Sequence, residues 1–331
     1  MINIKELKKY CDTSYITVRN DKIIINNRRL SKLSRTKINE IEKEFNIPVI
    51  ISKKYEEISQ KIGRYISKYN IIQPQDHIIV GLSGGKDSLI LLHLLESYRR
   101  KYGIKLYAVT VDLNIDGVRP WSENNKNINK LKNHCKNLNI PHKIIPFNNN
   151  VVEMSEILTN QSKGMEYSPC FSCSIGRRKI LTDFSKELSI SENIPMDKIK
   201  ICFGHTLEDN SDTVLANLLK GGIIKVLSPI KKFGKASFNY GEYSINLKQS
   251  IIIRPLLSIS EKDIKIALEQ CNIKYYKDKE QCPYSRERGD GIRRKSHNIL
   301  CEVEGEVKNI REMVVSSAIA TKEYYSKNKD N

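Results

Sequence analysis

The chain has 331 residues, 39% of them hydrophobic at a mean hydropathy of −0.46, with 56 Lys and Arg against 38 Asp and Glu for a net charge of +18. That apolar content suffices for a sizeable core and excludes wholesale disorder, while no apolar run reaches the ~18–20 residues of a bilayer span and the N-terminus has no signal-peptide core. The expectation is a folded, cytoplasmic protein with no membrane partner, whose positive charge favours a polyanion, nucleic acid first among them.

In chain order, residues 1–50 predict a small separate element of unassigned role: strands at Tyr15–Arg19 and Lys22–Ile25 around the Asn20-Asp21 turn signal, then a polar helix over 36–45. Residues 51–260 predict the catalytic domain. Apolar residues from Tyr55 to Tyr69 recur at helical spacing. Strand and helix then alternate: strands at Asp76–Leu82, Lys105–Val111, His142–Phe147 and Ile199–Gly204, with helices over 87–101, 124–138, 174–188 and 208–219. This rhythm implies an α/β fold, a doubly wound parallel sheet with helices on both faces, whose ligands bind beyond the carboxyl ends of the strands. Residues 261–331 predict a basic, helical C-terminal part, helical from Ser296 to Tyr325, which packs on the catalytic domain or on a second copy of the chain in a homodimer.

After the first of these strands comes Gly81-Leu-Ser-Gly-Gly-Lys-Asp-Ser88. Paired glycines bring backbone N–H groups close to an anion, the helix N-terminus adds its dipole, and Lys86 adds a point charge. The string fails the Walker pattern, since Lys86 is followed by Asp87. Ser83-Gly84-Gly85-Lys86-Asp87-Ser88 after a strand resembles the signature of the PP-loop ATP-pyrophosphatase superfamily. That resemblance implies ATP cleavage between the α and β phosphates, adenylation of an oxygen on a second substrate, and Asp112 beside the nucleotide. Gly204-His205-Thr-Leu-Glu208-Asp209-Asn-Ser-Asp-Thr213 resembles a motif of the tRNA-modifying branch. Its acidic residues begin a helix, where they suit Mg²⁺ or a substrate group; Glu208 stands where the family has its first Asp, so both carboxylates are candidates for the working acid.

Cys170-Phe-Ser-Cys173 puts two thiols three residues apart before a helix carrying Arg177, Arg178 and Lys179. The pair suits a metal knuckle or a redox dithiol, and nearby cations favour the thiolate. Together with Cys282-Pro-Tyr-Ser285 it resembles the three-cysteine set of iron–sulfur tRNA 2-thiolation enzymes, the 2-thiouridine synthetases. Residues 61–72 and Arg254-Pro-Leu-Leu-Ser-Ile-Ser-Glu-Lys-Asp-Ile264 resemble the 2-thiocytidine synthetases, and the likeness spans about residues 58–290. The implied cofactor is a [4Fe–4S] cluster on Cys170, Cys173 and Cys282, whose fourth iron is left for sulfide. Cys11, Cys135, Cys202, Cys271 and Cys301 read as small buried or incidental thiols. The arginines of 286–295 suit tRNA phosphates.

The expected activity is therefore ATP-dependent tRNA thiolation: adenylation of a pyrimidine C2 oxygen, then displacement of AMP by sulfur. Gly81, Ser83, Gly84, Gly85, Lys86, Asp87, Ser88, Asp112, Gly204, His205 and Asp209 would hold ATP and Mg²⁺. Arg177 or Arg178 would polarise the base. The sulfur donor would be a cysteine desulfurase, a sulfur-carrier protein or free sulfide. The alternatives are a PP-loop ligase of the tRNA lysidine synthetase type and thiolation of a small molecule.

Overall fold

The computed structural model describes residues 2–122, 125, 127–162, 164–276, 282 and 291–327. Its first fifty residues build a unit with its own apolar cluster (Leu7, Ile16, Ile23, Ile25, Ile38, Ile41). Helix α1 (Ile4–Leu7), strands β1 (Ile16–Val18) and β2 (Ile23–Ile25), helices α2 (Arg28–Ser31) and α3 (Arg35–Phe45) and strand β3 (Val49–Ile50) follow in order, with the strands forming a three-stranded sheet. Helix α4 (Lys53–Lys68) starts at Ser52, whose hydroxyl accepts from Tyr55 N–H, and buries Tyr55, Ile58, Ile62 and Ile66 as the helical spacing predicts.

The central sheet takes its strands from the rest of the chain. Strand β4 (His77–Gly81) leads to α5 (Lys86–Glu96) and α6 (Tyr98–Tyr102); β5 (Lys105–Asn114) is followed by α7 (Ile128–Asn137), β6 (His142–Asn150), α8 (Val151–Gln161) and α9 (Pro169–Ser191). Then come β7 (Ile199–Cys202), α10 (Leu207–Leu219), β8 (Ile230–Phe233), the hairpin β9 (Ala236–Tyr240) and β10 (Tyr243–Leu247), β11 (Ser250–Ile253), α11 (Glu261–Gln270), α12 (Gly291–Glu306) and α13 (Ile310–Lys327). The sheet order is β6-β5-β4-β7-β11-β8, all parallel except the edge strand β8, which runs against β11. Strand β4 is apolar along its length and buried because helices cover both faces. The chain leaves β4 toward β5 on one side and returns to β7 on the other. The loops after β4 and β7 therefore part at the switch point of the sheet, where such folds keep their ligand.

Helix α5 buries every residue from Ser88 to Glu96, and the N-terminal unit docks on its far end. Thr17 Oγ1 donates to the His93 carbonyl at 3.0 Å, and Val18 N–H donates to Glu96 Oε2 at 3.0 Å. Four departures from the sequence reading have local causes. The helix expected over 87–101 breaks into α5 and α6. Helix α9 begins five residues early because Ser168 stands at the N-cap and Pro169 fits the first turn, so Cys170 and Cys173 lie inside the helix rather than before it. The C-terminal helix divides into α12 and α13, both packed on α10. The β9–β10 hairpin, unforeseen, covers α9 through Tyr240, Ile245 and Leu247.

Candidate active site

Between β4 and α5 the chain turns at Gly84, whose φ of +77° suits a residue without a side chain. A Cβ there would meet Tyr276 at 2.8 Å and Trp121 at 3.0 Å. Tyr276 N–H donates to the Gly84 carbonyl at 2.9 Å, and the two rings meet edge to face at 5.6 Å. The hydroxyls of Ser83 and Ser88 lie 3.2 Å apart, with Ser88 also donating to the Gly85 carbonyl at 3.0 Å. Gly81 closes β4 against the Phe203 ring. The loop is thus a fixed collar of backbone N–H groups at the start of a buried helix, the geometry that binds phosphate.

Asp112 Oδ1 accepts from Trp121 N–H at 2.8 Å and Arg119 stands 3.7 Å from its Oδ2, so this carboxylate ties down the Trp121 that packs on Gly84. Neither Trp121 nor Tyr276 was anticipated: a lone Trp in a polar loop carries no periodic signal, and Tyr276 reaches the loop only through the fold.

Lys86 lies at the first turn of α5 with its Nζ 2.7 Å from Glu261 Oε2 and 3.1 Å from Asp87 Oδ2. Burial lowers the pKa of Lys86, but the two carboxylates outweigh it and hold the ammonium charged. Burial likewise pushes the Asp87 carboxyl up to about 7 against the pull of Lys86, and its Oδ1 is buried without a hydrogen-bond partner. Gly204, after β7, packs so closely on this turn that a Cβ would sit 3.0 Å from the Asp87 carbonyl and 3.2 Å from Ser88 N. The glycine of the Gly204-His205 motif is therefore required by close approach of two backbones.

The two acidic candidates take different parts. Glu208 accepts Glu261 N–H at 3.0 Å, capping α11; burial pushes its carboxyl up to about 7. Asp209 closes the capping box of α10 with Thr206 and pairs with Arg293 of α12 at 2.8 Å. Burial raises its carboxyl, but His205, Arg293, the Thr206 N–H and Lys86 together hold it below the ordinary range. His205 is pushed down to about 4 by burial, with the surrounding arginines acting in the same direction against Asp209. Its Nδ1 accepts from Arg254 Nε at 3.1 Å, which leaves the ring proton on Nε2. Arg254 is fixed in turn by the Ser228 carbonyl at 3.0 Å.

On α9 the two arginines diverge. Arg178 lies over the Phe233 ring at 4.3 Å. The charge of Arg177 instead lowers both the Cys173 thiol and His205. Cys173 is buried, Cys170 exposed and Cys282 half-buried against the apolar cluster that holds Cys173. Burial pushes Cys173 up to about 11, and Cys170 and Cys282 are close enough to raise it further. Their donor type and common neighbourhood fit a thiolate-held metal group, although among the described residues no three His, Cys, Asp or Glu side chains already stand in metal-binding geometry. Pro283 to Ser285 and the arginines at 286 and 288 lie outside the described residues. Cys11, Cys135, Cys202 and Cys271 are buried as expected, but Cys301 is exposed. No helix among the described residues is long and apolar enough to cross a membrane.

Residues 51–180 match the PP-loop domain family. Over 99% of its length the chain is 58% identical to a probable sulfurtransferase of Methanocaldococcus jannaschii, of which it covers 97%. It is 31% identical over 62% of its length to tRNA-cytidine(32) 2-sulfurtransferase 1 of Francisella tularensis subsp. novicida, covering 66% of that protein. The U34-tRNA thiolase NcsA of Methanococcus maripaludis, solved with its [4Fe-4S] cluster, superposes with a TM-score of 0.58 at 24% identity, over 82% of this chain and 80% of the other, which is a likeness of fold.

Proposed function

This chain belongs to the PP-loop family of sulfurtransferases, and on that premise we propose that it thiolates C2 of a tRNA pyrimidine at the expense of ATP, with Cys170, Cys173 and Cys282 holding a [4Fe–4S] cluster. The observation that carries the reading is the position of Cys173, which packs with Leu113 and Ile115 at the carboxyl end of β5, the strand beside the one that leads into the phosphate loop. Thiols and phosphate loop thus both belong to the carboxyl ends of neighbouring strands, where sheets of this kind keep their ligand crevice.

ATP enters over the Gly84–Gly85 collar, and Lys86 exchanges Glu261 for the phosphates, where its charge counters that of the departing pyrophosphate. The partnerless Oδ1 of Asp87 suits a Mg²⁺ carried in on those phosphates. The base C2 oxygen attacks the α-phosphorus, and His205, neutral with Nε2 protonated, is placed to donate a hydrogen bond at this end of the crevice. Asp209 positions rather than reacts, since its oxygens are committed to Thr206 and Arg293. A cluster held by Cys170, Cys173 and Cys282 would supply the sulfur chemistry for the displacement of AMP. Arg177, one turn of α9 after Cys173, would neutralise the charge that develops as sulfur displaces AMP. Because duplex RNA hides the pyrimidine C2 edge, the target base lies in a loop or is flipped out. The chain's +18 charge supplies the phosphate affinity. A PP-loop ligase acting through an amine would leave the three thiols without a use.

The test is an anaerobic assay of the reconstituted chain with ATP and tRNA, following AMP by chromatography and thionucleosides by mass spectrometry. Wild type forms both. Cys170→Ser, whose side chain is exposed and structurally tolerant, loses iron and thionucleoside but keeps AMP formation. Full thionucleoside yield from this variant would overturn the thiol assignment, and AMP formation indifferent to tRNA would overturn the acceptor.

A further inference from the structure

A second thiol centre lies further along α10 and α12 from the Asp209–Arg293 pair. Arg293, His297 and Cys301 recur every four residues along one face of α12. Arg293 meets Asp209, while His297 Nδ1 lies 2.9 Å from Asp212 Oδ2, three residues further along α10. The Asp212 carboxylate can only accept this bond, so Nδ1 carries the proton and Nε2 presents its lone pair. Nε2 faces the exposed Sγ of Cys301 at 3.4 Å. The order thiol, imidazole, carboxylate is that of an activated nucleophile with its base and orienting group.

The fourth member is Arg311 of α13, whose side chain is 1% exposed. Its Nη1 donates to Asp212 Oδ1 at 2.8 Å and Ser211 Oγ at 3.0 Å, and its Nε donates to Glu304 Oε2 at 3.1 Å. Its Nη2 donates to Cys301 Sγ at 3.2 Å. A neutral thiol is a weak acceptor, whereas a thiolate is a strong one for a guanidinium N–H. The sulfur therefore meets a base that can take its proton and a fixed cation that can hold the resulting charge, while staying open to solvent.

We propose that Cys301 is the point at which sulfane sulfur enters the protein from a persulfide donor. The Cys301 proton passes to His297 Nε2, and the thiolate attacks the outer sulfur of the donor R–S–SH. The new Sγ–S bond forms as the donor S–S bond breaks, its electron pair leaving as R–S⁻, which takes the proton from the imidazolium. The products are a Cys301 persulfide and R–SH, with no net oxidation. The purpose of the step rests on the sulfur-transfer reading above; its chemistry does not.

The test exposes the full-length chain to glutathione persulfide and follows sulfur addition at each cysteine-containing peptide by mass spectrometry. Cys301 in the folded protein gains one sulfur faster than the same cysteine in the urea-unfolded chain, and His297→Gln slows it by about tenfold or more. His297 is half-exposed, so the variant keeps the helix, as circular dichroism would verify. Equal rates in folded and unfolded chains, or a wild-type rate in His297→Gln, would overturn the proposal. If Cys301 gains sulfur in a chain that forms no AMP with tRNA, the entry point stands and the function proposed above falls.

Discussion

At the phosphate end of the crevice one uninterrupted stretch, His77 to Glu96, supplies strand, turn and buried helix. Its backbone is fixed by Ser83, Ser88, Trp121 and Tyr276. At the thiol end Cys170 and Cys173 come from the first turn of α9 and Cys282 arrives from a remote segment, with exposure running from buried to open. The first site is preorganised by local geometry and can be broken only by crowding it or removing its charge. The second depends on long-range packing. Damage at one end should therefore be separable from damage at the other.

The largest effect is expected for Lys86→Ala. The ammonium is held charged by Asp87 and Glu261 and is the cation nearest the loop. Its loss should lower AMP formation by about 100- to 1000-fold, as removal of a preorganised charge from a transition state does. Iron content after reconstitution should stay at the wild-type level. Loss of iron together with AMP would show that the two ends are one cooperative unit and end the contrast.

Gly204→Ala should act on the same end through packing. Its Cβ would sit 3.0 Å from backbone atoms of Asp87, which cannot swing aside as a side chain would. Overpacking of this kind costs about 1–3 kcal/mol, read as a lower melting temperature and weaker ATP binding in calorimetry. An unchanged affinity would mean that the strand-end loops move apart more easily than their contacts imply.

The same asymmetry explains what could be read from the sequence. The phosphate loop was legible because strand, paired glycines and helix are contiguous and each element's preference agrees with the next. Asp209, Gly204 and His205 followed from a second contiguous string. The cover over Gly84 was not legible, since Tyr276 is joined to it only by the fold, and neither was the commitment of Asp112 to Trp121. The stacking of Arg178 on the Phe233 ring was likewise not legible, since residue spacing on α9 does not say what each arginine meets. The N-terminus of α9 was available in Ser168-Pro169, a cap and first-turn pair. The surroundings of Cys301 were hidden because they join a histidine one helical turn away, a sequence-distant carboxylate and a buried arginine, brought together by α10, α12 and α13.

The smallest effect concerns Glu208, which separates structure from chemistry at the junction of the two ends. Burial pushes its carboxyl from an ordinary value of 4.5 up to about 7, so between those limits the folded chain binds more protons than the unfolded one. Stability must then fall as pH rises through that window, because the charged form is the one the folded state disfavours. The Glu261 N–H still offsets part of the cost by bonding both carboxylate oxygens. Glu208→Gln keeps an acceptor for that N–H and removes the titration. The variant should melt close to wild type near pH 5 and about 2–4 °C above it at pH 8, corresponding to ~1 kcal/mol. AMP formation at pH 7 should change little, because Glu208 caps α11 and leaves the chemistry to Lys86 and its neighbours. A difference in melting temperature that does not vary with pH would show that Glu208 is ionised throughout, and a collapse in AMP formation would move it from a cap into the catalytic group.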